Sequence, residues 1–114
     1  MNTLLQTNVV KNIFVEIFFN SFYELIGDDP RIGATHISVY MALLYHQQNE
    51  NKNPFTITRE IIMKAAKING RQTYNRCMND LQGFGYIKYT PSSNPFEGSI
   101  ICLKEVLKKS VKEI

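Results

Sequence analysis

The first patterned stretch of the chain, after nine mostly polar residues, is apolar at most of its positions. Between Val10 and Ile26, the residues Ile13, Phe14, Ile17, Phe18, Phe22, Leu25 and Ile26 recur at helical spacing, and Val15, Phe19 and Tyr23 occupy much of the remaining face. The β-branched and aromatic run from Ile13 to Phe19 also suits a strand, but the longer periodicity favours a helix. A helix apolar on nearly every side must be covered on more than one. Gly27-Asp28-Asp29-Pro30 ends it, because proline cannot continue a helix, and the two aspartates read as turn formers. A second helix is predicted from a Thr35 cap, with Ile37, Tyr40, Met41, Leu44 and Gln48 along its inner face. The polar run Asn49 to Pro54 breaks it, and Phe55-Thr56 reads as a short strand.

From Thr58 onward the rhythm changes to helix, tight turn, helix, strand, loop, strand. Thr58 is placed to cap the first of these helices, with Ile57 and Ile62 at the two positions of a hydrophobic staple. Ile61, Ile62, Ala65 and Ala66 supply its apolar stripe, and Lys67-Ile68-Asn69-Gly70 stops it, with Asn and Gly suited to the corner. Asn69 or Gly70 caps the next helix. There Tyr74, Cys77, Met78 and Leu81 recur at i, i+3, i+4 and i+7 and face the core, and the helix ends at Gly83 or Gly85. Two β-rich runs, Tyr86 to Thr90 and Ser99 to Leu103, flank a loop from Pro91 to Gly98, which makes a hairpin with a long tip. After it, Leu103, Leu107, Val111 and Ile114 are spaced as one stripe of a final helix. The expected fold is mainly α (α+β): a winged helix-turn-helix over residues 34–103, preceded by a helix and turn over 10–33 and followed by a C-terminal helix over 104–114, in one domain.

The outward face of the helix that follows Gly70 carries Arg71, Gln72, Asn75, Arg76 and Asn79, no lysine, and one acid, Asp80. An ordinary solvated face favours Glu and Lys at i, i+4. Arg bonds guanine bidentately, and Asn or Gln bonds adenine in the same way. Arg71, Gln72, Asn75 and Arg76 are therefore expected to read bases in the major groove of double-stranded DNA. Thr58, Lys67 and Thr73, at helix starts, are expected to bond phosphates, and Lys88, Ser92, Ser93 and Asn94 on the wing to touch the flanking backbone or minor groove. The net charge of +3 is too small to argue this alone, but its placement is informative. Residues 1–53 hold three basic and five acidic side chains, residues 54–103 six and three, and residues 104–114 four and two.

The chain also resembles a known group, on Asp29-Pro30-Arg31, Thr35-His36-Ile37-Ser38-Val39-Tyr40-Met41-Ala42-Leu43, Thr73-Tyr74, Cys77, Gly85-Tyr86-Ile87-Lys88-Tyr89, Pro91-Ser92, Asn94-Pro95-Phe96 and Gly98-Ser99. These residues, spread over roughly 20 to 103, are similar to the small winged-helix transcriptional regulators carried by bacterial conjugative transposons. The resemblance implies a winged-helix fold and a role as a regulator or accessory factor of a mobile element. It departs at Gly70, where such proteins usually carry a serine.

Other chemistry finds no support in the sequence. His36 and His46 are ten apart, not at the i, i+4 spacing of a zinc pair, and there is no Gly-rich phosphate loop, GxSxG or HExxH. No cofactor and no metal are expected, and the chain is not expected to be an enzyme. Cys77 and Cys102 fall on predicted core faces and read as buried thiols of a cytoplasmic protein, in keeping with the lack of a signal sequence or an apolar run of ~18 residues. The apolar ring of the first helix predicts a homodimer, with Phe14, Phe18, Phe19 and Phe22 at its interface. The competing reading is a winged helix used for protein contacts in a replication or conjugation assembly, with Phe96 at the wing tip as the contact.

Overall fold

A computed structural model of the chain describes residues 15–92 and 98–105. Among them are four helices and a three-stranded antiparallel sheet, an α+β arrangement: α1 (15–26), α2 (Ala34–Glu50), β1 (Phe55–Ile57), α3 (Arg59–Ala66), α4 (Arg71–Gly83), β2 (Ile87–Thr90) and β3 (Ser99–Leu103). The final helix expected over 104–114 falls outside the described residues except for Lys104 and Glu105, which are not helical. Leu103 ends β3, as the β-rich run Ser99 to Leu103 predicts, and is buried in the core.

α2 is the central element. It buries Val39, Tyr40, Ala42, Leu43 and Leu44 together with His36 and Gln47, and it packs on α3, α4 and β1. The single inner stripe expected from spacing had Tyr40 and Leu44 but not Val39 and Leu43, because a helix covered on several sides has no single inner face. Its cap is Gly33, not Thr35. Gly33 is extended, and its N–H donates to Nδ1 of His36 at 2.9 Å, the reciprocal bond that Glu or Gln makes in a capping box.

α1 lies along α2. The Phe22 ring stacks on Tyr40 with centroids 3.9 Å apart and meets Tyr86 edge-on at 5.4 Å. Phe18, Phe22 and Leu25 are buried, whereas Ile17, placed in the same stripe by spacing, is 40% exposed. The turn that follows is locked. Asp29 accepts from the Arg31 backbone N–H and guanidinium on Oδ1, from the guanidinium again on Oδ2, and from the Tyr86 hydroxyl on Oδ2 at 2.8 Å. The outer face of the same guanidinium covers the Phe84 ring at 4.0 Å. The pair of aspartates thus differs: Asp29 ties this turn to the corner between α4 and β2. The Arg31 bonds hold its carboxyl below the usual carboxylate range. A depressed carboxylate contributes stability above its unfolded value of ~3.9 that is lost as pH falls below it. Urea unfolding between pH 3 and 6 should show that acid-sensitive part in the wild type and a flatter profile for Asp29→Asn.

α3 and α4 are joined by a corner made at Lys67. Its φ of 62° is left-handed, Ile68 N–H donates to Met63 O at 2.9 Å, and Lys67 N–H donates to Lys64 O. This is the double bond of a Schellman motif, with the side chain of Ile68 buried as its plug. The left-handed residue of the corner is thus Lys67, not Asn69 or Gly70. Gly70 caps α4 in extended backbone. The Thr58 hydroxyl accepts from the Ile61 N–H, and Ile57 and Ile62 are both buried as the staple requires. Ile61 and Ala65, however, point to solvent, leaving Ile62 and Ala66 as the inner pair of α3.

α4 ends in a second Schellman motif. Gly85 has φ 92°, its N–H donates to Gln82 O, and Tyr86 N–H donates to Leu81 O. The chain then enters β2. The strand order is β1-β3-β2, with Phe55, Ile101 and Tyr89 level across the sheet. Phe55, Ile57, Ile87, Ile101 and Leu103 face the helices. Thr56, Ile100, Thr90, Cys102 and Lys88 lie on the outer face. Cys102 is thus only half-buried and not a core thiol, whereas Cys77 is fully buried, and burial pushes its thiol up. Gly98 has φ 77°, and a Cβ there would lie 2.6 Å from the Ile57 carbonyl oxygen, so the returning chain seats flat on β1 only as glycine.

Candidate nucleic-acid interface

The surface to build is the outward face of α4. Burial of Tyr74, Cys77, Met78 and Leu81 fixes the helix rotation, and Arg71, Gln72, Asn75, Arg76, Asn79 and Gln82 are left exposed. At 3.6 residues per turn those six positions span roughly 140° of the helix. The structure thus brings all four expected base-reading residues onto one open face. Thr73, half-buried, sits on its flank.

Asp80, the single acid of this helix, is turned aside. Its Oδ2 lies 2.8 Å from Nε2 of His36. Because the Gly33 N–H can only donate, Nδ1 of His36 accepts, and Nε2 carries the hydrogen that Asp80 takes. No local pattern marks this pair, which is 44 positions apart. Its effect is to hold the carboxylate on the α2 side of the helix, away from the polar face.

The remaining expected contacts are dispersed. Thr58 and Lys67 stand at opposite ends of α3, Thr58 half-buried and Lys67 exposed. Lys88 is exposed on the outer face of the sheet, level with Cys102. Ser92 N–H donates to Ser99 Oγ at 3.4 Å at the base of the hairpin. Ser93, Asn94 and Phe96 lie outside the described residues. Spacing did not single out Gln82, exposed in the last turn of α4, or Arg59, exposed as the first residue of α3. Burial pushes the Tyr74 hydroxyl up.

The interface assigned to a second subunit is corrected. Phe18 and Phe22 are sealed in this chain's own core, Phe22 at 1% exposure, and Phe14 lies outside the described residues. Of the three that are described, Phe19 is exposed, with its ring 4.8 Å from Tyr23. On α1 this leaves Ile17, Phe19 and Tyr23, against the roughly 20–30 residues a side of a standard interface. The dimer argued from this segment loses most of the surface it was argued from.

Among the described residues no three of His, Cys, Asp and Glu converge, and no helix is long and apolar enough to cross a membrane. A cavity of about 250 Å³ is lined by Leu25, Asp28, Asp29, Pro30, Arg31, Phe84 and Tyr86. Both carboxylate oxygens of Asp29 are already taken by Arg31 and Tyr86 there, so that carboxylate is a lock and not a free ligand group. No family model matches the chain, and no curated protein matches it.

Proposed function

We propose that the chain is a winged helix-turn-helix protein that binds double-stranded DNA, with α3 and α4 as the helix pair, α4 as the recognition helix and the β2–β3 hairpin as the wing. The observation that carries this reading is the α4 face: six exposed Arg, Asn and Gln side chains, with the helix's one acid bonded to His36 and held aside. Arg71, Gln72, Asn75 and Arg76 read base edges, and the cations on α3 and the wing meet phosphate. The biological role in this proposal is that of a transcriptional regulator or accessory factor of a mobile element, as the resemblance of Asp29-Pro30-Arg31 and the wing phrase implies. The protein-contact alternative rested on Phe96, which lies outside the described residues, and gains no observation.

Two substitutions test the assignment of faces on a randomised duplex library. Arg76→Ala removes a bidentate base contact worth roughly 1–3 kcal/mol of discrimination and should flatten preference at one position. Lys88→Ala, on the outer face of the sheet, should weaken all sequences alike. Equal shifts across all sequences for both variants would remove Arg76 from the reading face.

A further inference from the structure

Gln82 has the residue type and the exposure of an adenine reader, on the same face as Asn75 and Arg71. Asn75 is seven residues before it and Arg71 eleven, so the three form one row along α4. Yet its carboxamide is already engaged. Oε1 accepts the backbone N–H of Tyr89 at 2.6 Å.

That bond settles the pattern of the whole hairpin. Since the Tyr89 N–H points to Gln82, it does not point to β3. The level pair Tyr89 and Ile101 is therefore a non-hydrogen-bonded pair of the antiparallel ladder, and Lys88–Cys102 and Thr90–Ile100 are the bonded ones. Lys104 N–H donating to Tyr86 O keeps the same alternation. β2 is an edge strand, so its outward N–H groups need a partner or water. Gln82 supplies one of them from the last turn of α4, where the Schellman reversal at Gly85 lays β2 beside the helix.

We infer that Gln82 is a positioning residue: it pins the edge of the wing to the recognition helix and does not read a base. Resting on the winged-helix reading, this assigns it a consequence for DNA. The pin fixes how far the wing stands from the row of Asn75 and Arg71, and so whether wing and helix reach one duplex together. It also occupies the edge that would otherwise recruit a foreign strand.

Amide hydrogen exchange on the full chain tests the pin without any DNA. Gln82→Ala should lower protection of the Tyr89 amide by about tenfold, the loss of one net hydrogen bond, and leave Lys88 and Thr90 protected by β3. Gln82→Glu keeps an acceptor oxygen and should keep Tyr89 protected. Unchanged Tyr89 protection in Gln82→Ala would overturn the pin. On duplex DNA, Gln82→Ala should lower affinity for all sequences alike with base preference intact. A changed preference at one base would instead make Gln82 a reader and overturn the proposal. Failure of the wild type to bind DNA at all would remove the winged-helix reading but leave the exchange result standing, so the two failures are distinguishable.

Discussion

Replacing Phe22 with alanine is expected to cost about 3–5 kcal/mol, the range for a large aromatic removed from a packed core. Phe22 is 1% exposed and joins three elements: it stacks on Tyr40 of α2, meets Tyr23 of α1 edge-on at 5.8 Å, and packs on Tyr86 at the α4–β2 corner. The site cannot collapse easily, because Tyr40 is held by α2 and Tyr86 by its bond to Asp29. Phe19→Ala, three residues earlier and 41% exposed, should cost less than about 1 kcal/mol. Urea unfolding of both variants measures the contrast. Similar costs at the two positions would mean that Phe19 is covered as Phe22 is, and would reopen the case for a second subunit on α1.

The pattern of α4 was legible in the sequence because its two faces differ in kind. Tyr74, Cys77, Met78 and Leu81 are buried as their spacing predicts, and Arg71, Gln72, Asn75 and Arg76 are exposed. The Thr58 cap, the Ile57–Ile62 staple and the short strand at Phe55 were legible for the same reason: each is a local signal. What was not legible depends on distant partners. The cap of α2 moved to Gly33 because His36 accepts its N–H, and nothing local marks His36 as a cap partner. Asp80 left the polar face for a histidine 44 positions away. Ile61 and Ala65 face solvent, and the buried positions of the eight-residue α3 are Ile62 and Ala66. The positive φ sits on Lys67 and not on glycine, because the Ile68 plug and the two backbone bonds select the geometry.

α1 shows the opposite case. Its apolar ring predicts surplus surface for a partner, but much of that ring is spent inside the chain. Phe18 and Phe22 seal α2, and only Ile17, Phe19 and Tyr23 remain outside among the described residues. Periodicity says how much of a helix is apolar; it does not say how many neighbours the fold will bring to it.

Duplex DNA affinity is expected to fall steeply with salt. Residues 54–103 carry six cations against Glu60, Asp80 and Glu97, and Asp80 is bonded to His36. About five phosphates neutralised would give a log–log slope near −4.5, since each releases its share of condensed counterions. Between 50 and 200 mM salt that slope amounts to a loss of about 500-fold in affinity. Fluorescence anisotropy of a labelled random duplex, titrated with the chain across that range, is the most direct measurement of whether this surface meets DNA. A slope between about −4 and −5 is the predicted result; no binding at 50 mM, or binding indifferent to salt, would contradict it.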